Sequence, residues 1–137
     1  MGPRQQGDLG EIAAQHWLIR EGWLVFTPVC HSPDIDLMAV RRDEQIRVQV
    51  KTSGARTPLG HWSISVCTRG GNQSWNKIVK RFGPERCDYL FVLVADGRQW
   101  FLPATAIEAT TSIVLGGPKY AEFEIERGHA FLVERAA

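Results

Sequence analysis

Two short alternating segments, Ile35 to Val40 and Gln45 to Lys51, stand only four residues apart, and no other feature constrains the fold so tightly. The connection Arg41-Arg42-Asp43-Glu44 fits a hairpin centred on Arg42 and Asp43, which pairs residues whose numbers sum to 85. That register places Ile35 opposite Val50, Leu37 opposite Val48 and Ala39 opposite Ile46, all on one face. An apolar face of this kind must be buried against something. The other face is then polar: Asp36 is expected across from Gln49, with Lys51 two residues further along the same side.

The rest of the chain supplies layers for such a hairpin. Gln6 to Arg20 is expected to form an amphipathic helix on Leu9, Ile12, Ala13 and His16, with Gly22 as its stop. Strands are expected at Trp23 to Thr27, Trp62 to Cys67, Tyr89 to Ala95 and Gln99 to Leu102, the third apolar enough to be covered on both faces. Thr52 to Gly60 and Thr68 to Gln73 read as loops, and Ser74 as the cap of a short helix carrying Ile78, Val79 and Phe82. Ala104 to Ala109 suggests a helical turn, and Tyr120 to Glu126 a terminal strand with an acidic outer face. The expected order is α-β-β-β-α-β in an α/β domain, and 137 residues with 44% hydrophobic content suit one domain, residues 1–137.

Composition narrows the class of function. No apolar run approaches the roughly 18 residues of a membrane span, so a cytoplasmic location is expected. Cys30, Cys67 and Cys87 form no C-x-x-C pair, which argues against a disulfide framework or a zinc cage; Cys30 beside His31 could bind a metal, but a half-buried thiol is the better reading. The charges are segregated. Residues 41–86 hold ten basic against three acidic side chains, while the flanking stretches are acidic, as a surface for a polyanion requires. Candidate contacts are Arg56, Arg69, Asn72, Lys77, Lys80 and Arg81, with Lys77, Lys80 and Arg81 sharing one face of the short helix. Of five tryptophans, Trp75 beside this basic segment is the one expected outside the core.

The polar face of the hairpin has a chemical logic. Phosphodiester hydrolysis needs a divalent cation against the phosphate and a group that positions water. Asp36 offers an anionic oxygen, Gln49 an amide oxygen and Val50 its backbone carbonyl, a set suited to Mg²⁺ or Mn²⁺. Lys51 is placed to orient the water, and Glu11, at the margin of the first helix's buried face, to reach the metal or its waters. Gly7 and Gly10 would allow close backbone approach there.

Pro33-Asp34-Ile35-Asp36 followed by Gln49-Val50-Lys51, with Gly10-Glu11 on a preceding helix, resembles the PD-(D/E)XK nuclease superfamily. The resemblance spans roughly residues 6 to 110, including Lys51-Thr52, Cys67-Thr68-Arg69 and Trp100-Phe101-Leu102-Pro103. It is closest to the branch containing a group I intron-encoded homing endonuclease, and more distant from archaeal Holliday junction resolvases. The resemblance implies a restriction-endonuclease-like core, a mixed sheet flanked by helices. It also implies Mg²⁺-dependent cleavage of DNA and a homo-oligomer, dimer or tetramer, that presents two sites to a duplex. Asp36 matches the family's metal-binding acid, Lys51 its lysine and Glu11 its helix-one acid. Gln49 departs from the Asp or Glu of most members and removes one negative charge. A junction resolvase, a repair nuclease and a catalytically silent DNA-binding module are the alternatives.

Overall fold

The computed structural model describes residues 1–69, 79–80 and 82–132. It opens with helix α1 (Pro3–Arg20). Its strands are β1 (Leu24–Phe26), β2 (Leu37–Arg41), β3 (Glu44–Ser53), β4 (Trp62–Ser65), β5 (Thr68–Arg69), β6 (Val79–Lys80), β7 (Tyr89–Val94), β8 (Gln99–Pro103), β9 (Ser112–Leu115) and β10 (Glu124–Ile125). Short 3₁₀ turns occupy Ala104–Ala106 and Ala121–Phe123.

Six strands form the central sheet in the order β1-β2-β3-β7-β8-β10. Only the β3–β7 pair is parallel, and it joins the hairpin to the second half of the chain. The β2–β3 register is the expected one, with Leu37 opposite Val48 and Ala39 opposite Ile46. Arg42 in the turn adopts a left-handed φ of 56°. The ladder stops sooner than alternation suggests: β2 begins at Leu37, so Ile35 and Asp36 lie before the strand.

Helix α1 packs on one face of this sheet, over Leu37, Ala39, Ile46, Val48, Phe91 and Leu93. Pro at its first position suits a helix start. Its end is a Schellman arrangement, in which Trp23 N–H bonds Leu18 C=O and Gly22 N–H bonds Ile19 C=O. Gly22, at φ 90°, takes the left-handed position, and Trp23 and Leu18 meet in the same core. The face that α1 buries is not the expected one. Gly10, Ala14 and Leu18, four residues apart, are buried, whereas Leu9, Ile12 and His16 are exposed. Close approach decides this: a Cβ at Gly10 would sit 2.5 Å from Thr52 Cγ2, so only glycine lets the helix reach β3 there. Gly7 has open space at the same test.

The opposite face carries a two-stranded sheet of β4 and β9, in which Trp62 pairs with Leu115 and Ile64 with Ile113. Their side chains pack against Leu90, Val92, Val94, Trp100 and Leu102. Strand β7 is therefore covered on both faces, as its apolar run predicts. Strand β9 has no counterpart in the sequence expectations.

Helix α1 is the sole α-helix among the described residues. Val79–Lys80, assigned above to a short helix, is extended and pairs antiparallel with Thr68–Arg69, a stretch expected to be loop. The β-branched Val79 fits a strand at least as well as a helix. Asn72, Ser74, Trp75, Lys77, Ile78 and Arg81 lie outside the described residues. Cys30 is exposed rather than half-buried. No helix among the described residues is long and apolar enough to cross a membrane.

Candidate active site

The site lies just before β2 begins. In β3, the even-numbered residues turn their N–H and C=O groups toward β2, because a strand residue presents both to the same edge. Leu37 is the last residue of β2 to pair with them. Beyond it the chain bends, and Asp36 satisfies β3 in a different way. Its own N–H donates to Val48 C=O at 3.0 Å, and its carboxylate Oδ2 accepts the Val50 N–H at 2.7 Å. A side chain thus takes the position of a strand partner, and Val50 C=O points to the same open edge.

An open edge can be reached from both faces of the sheet. From the α1 face comes Glu11, one residue past the close contact at Gly10 and within hydrogen-bond reach of Asp36. From the opposite face comes Lys51, half-buried, whose charge acts on Asp36. Gln49 lies on that second face as well, 3% exposed. The expectation that Asp36, Gln49 and Lys51 line a single face of a continuous ladder is therefore corrected. Asp36 sits at the end of the ladder, between the faces, and joins groups from each.

The electrostatics follow from this placement. Burial raises the Asp36 carboxyl above the usual carboxylate range, and the Val50 N–H, Lys51, Glu11 and His31 pull it part of the way back. Glu11 is raised by burial first, then by the negative charges of Asp36 and Asp8 and by the hydrogen bond shared with Asp36. Two partly buried carboxyls that both resist ionisation make a site short of positive charge. The donor set is all oxygen and fits a hard divalent cation. Among the described residues no three His, Cys, Asp and Glu side chains cluster as metal ligands, so a cation here would draw on amide and backbone oxygens too.

A cleft of about 380 Å³ opens onto Glu11 and Asp36, with Thr27, Pro28, Cys30 and His31 also in its lining; Gln49, Val50 and Lys51 are not among its lining residues. Size does not single it out, since a groove of about 570 Å³ runs between α1 and residues 126–130, and a shallower one borders the β2–β3 turn. Its paired carboxylates do. His31 enters the sequence expectations only beside Cys30, as a metal pair that is set aside, because a lone histidine in a loop carries no spacing signal. Asp34, the other acid of Pro33-Asp34-Ile35-Asp36, is engaged elsewhere, with its Oδ2 3.1 Å from Arg86 Nη1. Arg56 lies over the Trp62 ring, 3.9 Å from its centroid, and donates to Gly60 C=O. Arg69 and Lys80 fall on the β5–β6 pair.

Comparison with known proteins agrees with this architecture. The structure of a bacterial homing endonuclease, I-Ssp6803I, superposes with a TM-score of 0.77 at 19% identity, over 90% of this chain and 89% of that one, a likeness of fold. No curated protein matches. The family model for PD-(D/E)XK endonucleases matches residues 1–132, which includes α1, the β2–β3 hairpin and the parallel β3–β7 pair. With Glu11 on the helix, Asp36 at the strand end and Gln49-Val50-Lys51 on the next strand, the chain belongs to the PD-(D/E)XK endonuclease family.

Proposed function

We propose that this chain is a metal-dependent DNA endonuclease, a single domain over residues 1–137 that hydrolyses phosphodiester bonds in the cleft at Asp36. The observation that carries the reading is the pairing of the Glu11 and Asp36 carboxyls, both raised by burial, with the Lys51 charge beside them. Structural residues rarely leave two carboxyls in contact without a cation. Asp36, Glu11, the Gln49 amide oxygen and the Val50 carbonyl would hold Mg²⁺, with Mn²⁺ as a substitute. Bound there, the ion would shield the scissile phosphate and favour ionisation of an attacking water.

The protein's own groups do the remainder. Asp36 is held by the Val50 N–H, so its second oxygen is presented at a defined place on the strand edge. Lys51, across the sheet edge from Glu11, orients the water and offsets charge that develops on the phosphate. Glu11 completes the anionic side of the cleft. Arg56, Arg69, Asn72, Lys77, Lys80 and Arg81 are proposed to bind backbone phosphates, consistent with the basic middle of the chain. Cleavage of both strands by a homo-oligomer, dimer or tetramer, in the manner of a homing endonuclease, and a cytoplasmic location belong to the same reading.

The test is nicking of supercoiled plasmid by the purified chain in Mg²⁺ or Mn²⁺, against EDTA and against Lys51→Ala. Metal-dependent nicking that disappears in the variant is the expected result. Salt-sensitive DNA binding without nicking of plasmid, linear duplex or four-way junction, in any metal, would replace the enzyme with a silent DNA-binding module. Preference for the junction over linear duplex would instead mark a resolvase.

A further inference from the structure

The segment that carries Asp36 has little sheet to hold it. Asp36 precedes β2: its N–H donates to Val48 C=O and its carboxylate accepts the Val50 N–H, while the segment before it is tied by the local bond from Ile35 N–H to Ser32 Oγ at 3.2 Å. Among the described residues, the Asp34–Arg86 pair links that preceding segment to a distant part of the chain. Arg86 Nη1 stands 3.1 Å from Asp34 Oδ2, with the two side chains 29% and 21% exposed.

Arg86 is well placed to act as a strut because the loop it stands on is itself clamped to β3. Arg47 Nη1 and Nη2 donate to the Glu85 and Pro84 carbonyls at 3.0 and 3.1 Å. The Arg47 guanidinium also meets both oxygens of Asp88, while the backbone of Arg47 exchanges bonds with Asp88 on either side. Cys87 between them is fully buried. A continuous path of polar contacts therefore runs from β3 through Arg47, the loop at 84–88 and Arg86 to Asp34, two residues before Asp36.

The energetics of the Arg86–Asp34 pair do not favour a purely stabilising role. Asp34 Oδ1 and Arg86 Nε are buried without a hydrogen-bond partner among the described residues. A half-satisfied, partly buried ion pair recovers little of its desolvation cost. What it does supply is a fixed distance between two loops.

We propose that Arg86 is a positioning residue for Asp36: by holding Asp34 it steadies the backbone from which the Asp36 carboxylate reaches the Val50 N–H, and with it sets the affinity of the cleft for a divalent cation. The proposal rests on the reading of Asp36 as a metal-binding acid. Supports of metal ligands characteristically act through affinity, with losses of about 10- to 100-fold when removed.

The experiment is calorimetric titration of the full chain with Mn²⁺, without DNA, in the wild type, Arg86→Met, Asp36→Asn and the exchanged pair Asp34→Arg/Arg86→Asp, each checked by thermal unfolding. The expected result is that Asp36→Asn abolishes binding, that Arg86→Met weakens it at least about tenfold with the fold intact, and that the exchanged pair recovers most of the loss. Wild-type affinity in a folded Arg86→Met would overturn the proposal and leave the reading of Asp36 standing. Mn²⁺ binding unaffected by Asp36→Asn would overturn that reading, and the proposal with it. Where Arg86→Met does not fold, the exchanged pair decides: recovered affinity supports the strut, and a folded exchanged pair with weak binding sinks it.

Discussion

The Asp36 carboxylate accepts the backbone N–H of Val50 at 2.7 Å, in the place where the next residue of β2 would otherwise pair with β3. One side chain thus has two tasks, closing a backbone hydrogen bond and presenting charge to the cleft, and two substitutions separate them. Asp36→Asn keeps an oxygen for the Val50 N–H and removes the charge. It should fold somewhat more stably than the wild type at neutral pH in EDTA, because burial raises the Asp36 carboxyl, and lose nicking activity by at least about 100-fold, the loss of a principal metal ligand. Asp36→Ala removes both, and leaving a partly buried N–H without its partner should cost a further 1–3 kcal/mol or thereabouts, roughly the desolvation penalty of that group. Urea denaturation in EDTA measures the difference. Equal stability of the two variants would mean that the hydrogen bond contributes nothing.

The Glu11–Asp36 contact sets an unusual dependence of stability on pH. Both carboxyls have folded-state values raised above their ordinary ones, Glu11 through burial and then the charges of Asp36 and Asp8. The folded state therefore binds protons more tightly than the unfolded state, and these two groups oppose folding at neutral pH. Their penalty is relieved as pH falls through the raised folded values toward the ordinary carboxylate range. In EDTA, Glu11→Gln should accordingly be more stable than the wild type at neutral pH, by a few tenths to about 1 kcal/mol because Glu11 remains in partial contact with water. The advantage should shrink in mild acid. Mn²⁺ should raise the melting temperature of the wild type much more than that of the variant. A variant that is less stable than the wild type in EDTA would contradict the like-charge account.

How legible this arrangement is in the sequence depends on how local the deciding physics is. The β2–β3 register follows from four turn residues and strict alternation, both local, and it places Leu37 on Val48 correctly. Alternation does not tell where β2 begins, because its start is set by Asp36 exchanging a ladder position for a side-chain bond. The face of α1 is misread for a related reason. Hydrophobicity favours Leu9 and Ile12, but Gly10 and Ala14 are buried because they are small enough for the helix to close on Val50 and Thr52. Glu11 nonetheless lines the cleft with Asp36, since it adjoins either face. Strand β9 stays hidden because four residues, Ser112 to Leu115, give too short a pattern, and their partner β4 is some fifty positions away. The hairpin register picks Asp36 over Asp34 for the site, and Asp36 does line the cleft; that Asp34 is anchored to Arg86 is not legible, because Arg86 is distant in sequence.

The small face of α1 leads to a packing prediction. A Cβ at Gly10 would fall 2.5 Å from Thr52 Cγ2 and 3.1 Å from Val50 Cγ1, and neither neighbour is the far end of a flexible chain. Gly10→Ala gains about 1 kcal/mol in helix propensity and should still be destabilised, by about 1–3 kcal/mol net, because the helix must move off the sheet. The same movement carries Glu11 away from Asp36, so nicking should fall more than stability. Thr52→Ser removes the methyl that makes the closest contact. Combined with Gly10→Ala it should recover part of both losses, and strict additivity of the two single changes would show that the clash is elsewhere.

The Arg47–Asp88 clamp beneath the strut should show the opposite sign of acid response. Asp88 lies below its ordinary range, chiefly through the side-chain hydrogen bond from Arg47, against the opposing effect of burial. A depressed folded value means that the stabilisation is present at neutral pH, above the unfolded value, and is lost as pH falls through the folded one. Both side chains are about a third exposed, at 33% and 38%, so solvent screening holds the contribution to about 1 kcal/mol. A double-mutant cycle of Arg47→Met and Asp88→Asn measures it directly. The coupling should be clear at neutral pH and low salt, weaker in high salt, and absent once Asp88 is protonated. Because the clamp holds the loop beneath Arg86, the single variants should also weaken Mn²⁺ binding at neutral pH. Coupling that persists unchanged in acid would show that Asp88 acts there through neutral hydrogen bonds and not through its charge.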